Sequence, residues 1–277
     1  MTSWICSTCA VEYRDSENPP AVCAICDDER QYVRPSGQEW TTLADLADSG
    51  RTGSVLEIEP GLFGISVDPA VGIGQQALLA RTPAGNLLWD PTGYVDDALA
   101  ALVEGVGGVA AIAASHPHMF GVQVEWSRRF GDAPVYVCAA DREWVRREDA
   151  VLEYWQDGLD VLPGVALQRI GGHFAGSAVA RGTGSDGRGV LLSGDTVAAT
   201  PGEDWVSFMR SYPNKVPLSA AVVSIVAERV LSRPFDRLYD NFGGGVREHA
   251  DDSVRRSADR YIACVRGDFD HRTGTSV

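Results

Sequence analysis

Two kinds of residue in this chain are spaced for metal chemistry. The first is cysteine. Cys6-x-x-Cys9 and Cys23-x-x-Cys26 form two knuckles separated by a loop bearing Pro19-Pro20. Two such pairs match a tetrahedral four-thiolate zinc site. The knuckles offer no spare histidine or carboxylate, so the site reads as structural. The second kind is histidine, of which the chain has only five. His116 and His118 lie in Ser115-His116-Pro117-His118-Met119-Phe120-Gly121, directly after the apolar run 109–114. That run reads as a buried strand, and two imidazoles just past a strand end can point at one place. His173, within Gly171-Gly172-His173-Phe174-Ala175-Gly176-Ser177, and Asp195, within Leu191-Leu192-Ser193-Gly194-Asp195-Thr196, complete a set of three imidazoles and a carboxylate. Such a set suits zinc or iron.

Each of these residues has an ordinary alternative. His116 and His118 could bond backbone carbonyls in a turn, but imidazole is a common metal ligand and both face one site. Gly-His-Phe occurs in unremarkable turns, although the flanking glycines allow a tight backbone that aims His173 inward. Asp195 could cap a turn after Gly194. Asp90 could cap the helix that follows Pro91-Thr92, or could accept the distal N–H of a ligand histidine and so fix its tautomer. Cys138 and Cys264 read as small buried hydrophobes, and His271 as part of a frayed tail. Ser177 lacks the Gly-x-Ser-x-Gly elbow of a serine hydrolase.

The bulk composition narrows the classes. A net charge of -14 over 277 residues argues against a duplex nucleic-acid binder, which needs clustered Lys and Arg. It argues equally against an anionic membrane surface. No apolar run reaches the roughly 18 residues that span a bilayer. Met1-Thr2-Ser3-Trp4-Ile5-Cys6 lacks the basic and apolar regions of a signal peptide, so a cytoplasmic chain with reduced thiols is expected. A hydrophobic fraction of 44% supports a sizeable core. The expected partner is a small-molecule substrate, with no nucleic acid and no membrane, and the sequence leaves room for a homo-oligomer.

The elements that must position these residues follow from periodicity. Residues 1–37 read as the four-cysteine module, too small to fold without its metal and expected to pack on the rest through Trp4 and Tyr13. Residues 38–266 read as one larger domain, and 267–277 as a tail expected to fray. Strands are expected at 56–59, 64–67, 77–80, 86–89, 109–114 and 134–138, and two more around the Gly182-to-Gly189 turn. Helices are expected from Tyr94 to about Glu104, over 124–130, over 217–231 with Leu218, Ala221, Val222, Ile225 and Val226 on one face, and around Val254, Ala258, Tyr261, Ile262 and Val265. Strands, then a helix and strand, with that group recurring, predict two packed sheets with helices outside, an αββα sandwich of the α/β class.

The order of Asp90 after a strand, His116-x-His118, Gly-Gly-His173-x-x-Gly-Ser and Gly-Asp195-Thr resembles the metallo-β-lactamase superfamily from about Leu56 to Ile262. The resemblance implies a metallo-β-lactamase-like sandwich, here preceded by a small zinc-ribbon or rubredoxin-like module, with a metal pocket at the sheet edge. It implies a catalytic metal on His116, His118, His173 and Asp195, with Asp90 behind them. The family's first motif usually reads His-x-His-x-Asp-His, and here Phe120 and Gly121 stand in place of the Asp and the last His. The family's final metal histidine is also absent from Leu238–Gly245, and His249 lies a few residues beyond. The resemblance therefore implies one metal, zinc or iron, in addition to the structural zinc on cysteine.

The leading expectation is a mononuclear metallo-hydrolase acting on a small-molecule ester, lactone, amide or related bond, with Asp195 as fourth ligand or general base. A mononuclear iron oxygenase on the same residues is the second, and a non-catalytic metal-binding scaffold the third. The segment 205–214 is expected beside the pocket, with Arg210 or Tyr212 placed to hold an anionic or carbonyl group. Its ordinary alternative is a surface loop with buried aromatic anchors.

Overall fold

The computed structural model describes residues 2–202 and 204–274. The cysteine module contributes β1 (Ile5–Cys6), which pairs antiparallel with β2 (Trp40–Thr41). Helix α1 (Leu43–Asp48) follows, started by a capping box in which Thr42 and Asp45 bond each other's backbone.

The first sheet then forms from β3 (Thr52–Glu59), β4 (Leu62–Asp68), β5 (Ala77–Thr82), β6 (Gly85–Trp89), β7 (Ala111–Ala113), β8 (Val135–Cys138) and β9 (Leu152–Trp155), in that spatial order. The strands are antiparallel as far as β6 and parallel beyond it. The change has a simple cause. Helices α2 (Asp97–Gly105) and α3 (Gln123–Arg129) form the crossovers before β7 and β8, and a crossover returns the chain in the same direction. Helix α2 begins at Asp97, three residues later than periodicity predicts, because the Asp96 side chain accepts from the Leu99 amide and caps it there.

The second sheet contains β10 (Gly158–Leu162), β11 (Val165–Arg169), β12 (Ala178–Thr183) and β13 (Gly189–Leu192). Two small hairpins follow, β14 (Ala198–Ala199) with β15 (Val206–Ser207), and β16 (Met209–Ser211) with β17 (Val216–Pro217). After α4 (Ala220–Val230), strand β18 (Arg237–Tyr239) joins β13 in parallel and β19 (Gly245–Val246) closes the sheet. Helix α5 (Ala250–Val265) ends the domain. Of the tail expected from Gly267, Asp270–Arg272 form one 3-10 turn, and 275–277 lie outside the described residues.

Alternation along the strands builds three apolar layers. Leu87 and Trp89 of β6 face the space between the sheets, with Ala178, Ala180 and Leu192 opposite. Leu88 faces the other way, onto the layer of Leu99, Val103 and Trp126 from α2 and α3. Val179 and Leu191 face α4 and α5. This is the αββα sandwich. The cysteine module belongs to the first outer layer, since Ile5, Val11, Tyr13 and Ile25 are buried in one continuous cluster with Leu99 and Trp126.

Two expectations are corrected. The buried face of α4 is Val223, Val226, Ala227 and Val230, while Ala221 and Ile225 are exposed. The run is apolar on several sides, so its phase is set by packing and not by period. Cys264 is exposed, on the outer side of α5, while Cys138 is buried. No helix among the described residues is long and apolar enough to cross a membrane.

Candidate metal centres

All six cysteines are free thiols. Four of them converge, because the Cys6 and Cys23 turns fold back tightly. The Ala10 amide donates to the Cys6 carbonyl at 2.8 Å and the Asp27 amide to the Cys23 carbonyl at 2.9 Å. Cys6 Sγ lies 3.6 Å from Cys26 Sγ, and Cys9 Sγ 3.7 Å from Cys23 Sγ. A tetrahedral ion with metal–sulfur bonds of about 2.3 Å needs sulfurs about 3.8 Å apart, so the cage is sized for such an ion. Tyr13 Oη donates to Cys23 Sγ and Gln38 Nε2 to Cys6 Sγ, bonds that favour thiolates. Hydrogen bonding among the sulfurs, from Cys23 foremost, pulls Cys6 below the usual thiol range, while burial pushes Cys9 up. Four buried sulfurs of mixed protonation become four equivalent ligands only around a cation.

Tyr13 also meets Trp40, beyond the module, edge-on, and it is buried in the cluster shared with Leu99 and Trp126. Trp4 packs, partly buried, on the shared core. The polar join is Glu12, whose side chain pairs with the buried Arg147 and accepts from the Val124 amide.

The histidine cluster sits at the sheet edge where β7 and β13 end. His116 follows β7, and His118 lies in the 3-10 turn Pro117–Met119. His173 precedes β12 in a turn that Gly171 and Gly172 make with φ of +81° and +93°, and Asp195 lies in the turn 194–196 after β13. The ligand atoms all fall within 4.8 Å of one another. His173 Nε2 is 3.4 Å from His118 Nδ1, and Asp195 Oδ2 is 3.6 Å from His116 Nε2 and 3.9 Å from His173 Nε2. A tetrahedral ion with bonds of about 2.0–2.1 Å needs ligands about 3.3 to 3.4 Å apart, close to this spacing. His116 Nε2 is buried without a hydrogen-bond partner, a cost the fold bears where a ligand completes it. The residues fit one cation.

Neighbouring groups orient the rings. Asp90 does not touch a histidine. It accepts from the Ser115 amide and, at 2.8 Å, from Ser115 Oγ, which lies 2.8 Å from His116 Nδ1. A cation in the cluster would favour ionised Asp90 against the burial that pushes it up, and the Ser115 hydroxyl then donates to the carboxylate. Its oxygen then accepts from His116 Nδ1–H, which leaves the Nε2 lone pair for a metal. Met209 of β16 does the same for His173, its carbonyl 3.0 Å from Nδ1. Glycine is required at 194, since a Cβ there would overlap Ser115 Oγ.

The three ligand histidines are buried and their basicity is lowered by burial, His173 to about 4. Burial, with Asp240 second, pushes Asp195 up to about 7, and burial pushes Asp90 up. The imidazoles are therefore neutral and ready to ligate at ordinary pH.

The substrate-wall candidates separate. Tyr212 is at the cluster: its ring centroid is 5.9 Å from that of His173, and its hydroxyl donates to the Asp195 carbonyl. Arg210 turns outward to Glu29, 2.8 Å away. His249 is exposed at the start of α5 and outside the cluster. Ser177 Oγ accepts from the Phe174 amide, an internal turn bond. Sequence reasoning left four contributors without a role: Ser115, Arg30, Phe174 and Asn241. Ser115 was within reach, as the residue before His116. Arg30 and Phe174 stack by tertiary contact, which no local spacing signals. Asn241, fully buried, occupies the stretch between β18 and β19. A groove of about 650 Å³ opens at the opposite end of the sandwich, between Leu62, Ala80, Val165 and Val190, and none of the ligands lines it.

No protein-family model matches the chain. It is 42% identical over 274 residues to the uncharacterized protein YmaE of Bacillus subtilis (strain 168), an alignment covering 98% of this chain and 100% of that protein. Among solved structures it resembles the first B3 metallo-β-lactamase with an active-site glutamic acid, at 14% identity and TM-score 0.51, over 76% of this chain and 91% of that one. It resembles the metallo-β-lactamase SMB-1 bound to 2-mercaptoethanesulfonate, at 16% and 0.52, over 76% and 96%. It also resembles MEM-A1, a subclass B3 metallo-β-lactamase from a soil metagenome library, at 14% and 0.51, over 78% and 97%. At these identities the likeness is one of fold.

Proposed function

The chain belongs to the family of the Bacillus subtilis protein YmaE and is built on the metallo-β-lactamase fold, and from that premise we propose that it is a metal-dependent hydrolase with a mononuclear centre on His116, His118, His173 and Asp195. The observation that carries this reading is the convergence of those four side chains, with His116 Nε2 buried and unpartnered beside Asp195 Oδ2. A divalent ion bound there supplies Lewis acidity and a water acidic enough to attack near neutral pH.

The chain's own residues do the rest. Ser115 and Met209 hold two imidazoles in the ligating tautomer. Asp195 either completes the ligand set or takes the proton of the attacking water. Buried Phe120 and Phe174 keep bulk water away from the cluster. A single ion is supported by the residues where a second would bind. Phe120 cannot coordinate, and Gly121 has no room for a side chain because a Cβ would overlap the Pro91 and Thr92 carbonyl oxygens.

The substrate class is a small molecule with an ester, lactone, amide or related bond. Zinc-loaded protein scanned against ester, lactone, amide and phosphodiester panels tests the reading, with turnover expected in at least one. Activity no greater than that of His116→Ala throughout would sink it. Three neutral nitrogens and a carboxylate also accept iron(II). Iron found after anaerobic purification, with oxygen uptake in place of hydrolysis, would turn the assignment to an oxygenase.

A further inference from the structure

The cysteine module reaches the histidine cluster through one short turn. Cys26 is followed directly by Asp27–Gln31, so an ion held by the four cysteines would fix where this turn begins. Arg30 forms a planar fork with Asp28, Nε 2.6 Å from Oδ1 and Nη2 2.9 Å from Oδ2. The guanidinium carbon lies 3.7 Å over the centroid of Phe174 and 5.2 Å from that of Trp144, and Nη1 lies 3.4 Å from the His173 carbonyl. Phe174 in turn meets every ligand ring, with centroids 5.6 Å from His116, 4.9 Å from His118 and 5.2 Å from His173.

The backbone of the turn is tied down as well. Ser211 Oγ donates to the Arg30 carbonyl, and Asn214 Nδ2 to those of Glu29 and Gln31, each at 2.9 Å. Ser211 belongs to β16, the strand whose Met209 carbonyl holds His173. The turn therefore grips both supports of His173: the Phe174 ring beside it and the hairpin behind it.

From this we infer that Arg30 is a positioning residue of the histidine centre: the turn set by the four-cysteine ion forms the outer wall of the histidine pocket and controls how fast an ion leaves it. The inference rests on the reading of the histidine cluster as a metal site. The physical case is enclosure. The Arg30 side chain is only 12% exposed, and the His116 and His173 side chains that meet Phe174 are 0% and 1% exposed. A bound ion escapes more readily when a ligand ring can swing out. Arg30 over Phe174, which stacks on His116 and meets His118 and His173 edge-on, resists that swing, at a cation–π contact made with little water. Lysine keeps the charge but lacks the planar fork that grips Asp28 and lies flat on the ring, so charge alone does not preserve the wall.

The test uses the whole chain loaded with cobalt(II) at both centres. The thiolate-to-cobalt charge-transfer band reports the cysteine site alone, and the ligand-field bands of the nitrogen- and oxygen-bound ion report the histidine site. Arg30→Ala and Arg30→Lys are each expected to release histidine-bound cobalt to a chelator at least about 10-fold faster than wild type, in the range seen when outer supports of metal ligands are removed. The charge-transfer band is expected to be unchanged. Release at the wild-type rate in both variants would overturn the inference. So would loss of the charge-transfer band in both, which would assign Arg30 to the folding of the module. A wild-type chain that takes cobalt only at its cysteines would overturn the metal reading and this wall with it.

Discussion

The backbone amide of Glu12, in the cysteine module, donates to the carbonyl of Gly121 at 3.0 Å, the position where the resembling family carries the last histidine of its first metal motif. The module is thus docked on the segment from which a second metal ligand would come. Gly121 has φ of +52° and its space is closed by Pro91 and Thr92, so this position has no room for a ligand side chain.

Restoring the histidine should therefore fail. Gly121→His is expected to destabilise the chain by about 3 kcal/mol or more, from left-handed backbone strain and overpacking together. It should bind no additional ion. Thermal melts and metal content check both parts; a stable variant holding an extra zinc would refute the argument.

Ser115→Ala removes the link between Asp90 and His116. The His116 tautomer is then no longer enforced, and affinity at the histidine centre should fall about 10- to 100-fold, with the cysteine centre unaffected. Competition against a chromophoric chelator measures it. Equal affinity in variant and wild type would show that the relay does not matter.

Metal uptake at the histidine centre should release a proton in acid solution. The imidazoles stay neutral because burial lowers them, and Asp195 is the group to ionise, being held up to about 7. With the cysteine site already filled, uptake at about pH 6, below the range where a metal-bound water ionises, should release close to one proton from Asp195. In the stripped chain the same carboxyl lowers stability as pH rises from its unfolded value of about 4 toward 7, since the unfolded state then loses its proton first. Calorimetry in buffers of different ionisation enthalpy reads the release directly, and no proton released at about pH 6 would contradict the assignment.

Glu12→Ala should loosen the module from the sandwich. It leaves the buried Arg147 with Glu125, 2.7 Å away, and Ser3 Oγ, and frees the Val124 amide. A loss of about 3 kcal/mol is expected, measurable by denaturant unfolding. A loss below about 1 kcal/mol would mean that the apolar contacts carry the joint.

Much of this arrangement is legible in the sequence, and the reasons for the rest are physical. His116, His118, His173 and Asp195 could be read because each follows or precedes an apolar strand, so strand ends announce the site. The cysteine spacing declares its own geometry. Strands β9 and β10 escape because each is short and lies at a sheet edge, where burial imposes little pattern. Arg30 escapes because its partners Phe174 and Trp144 are more than 100 residues away in sequence. The phase of α4 escapes because its apolar residues run nearly all the way round.

The central claim is one cation on the histidine cluster. Anomalous diffraction at the zinc edge, from crystals grown with zinc, locates every ion in the chain. The account predicts two peaks per chain, one among Cys6, Cys9, Cys23 and Cys26 and one among His116, His118, His173 and Asp195. A second peak about 4 Å from the latter and bridged by Asp195, the spacing of two-metal sites, or no peak at the histidines, would contradict it.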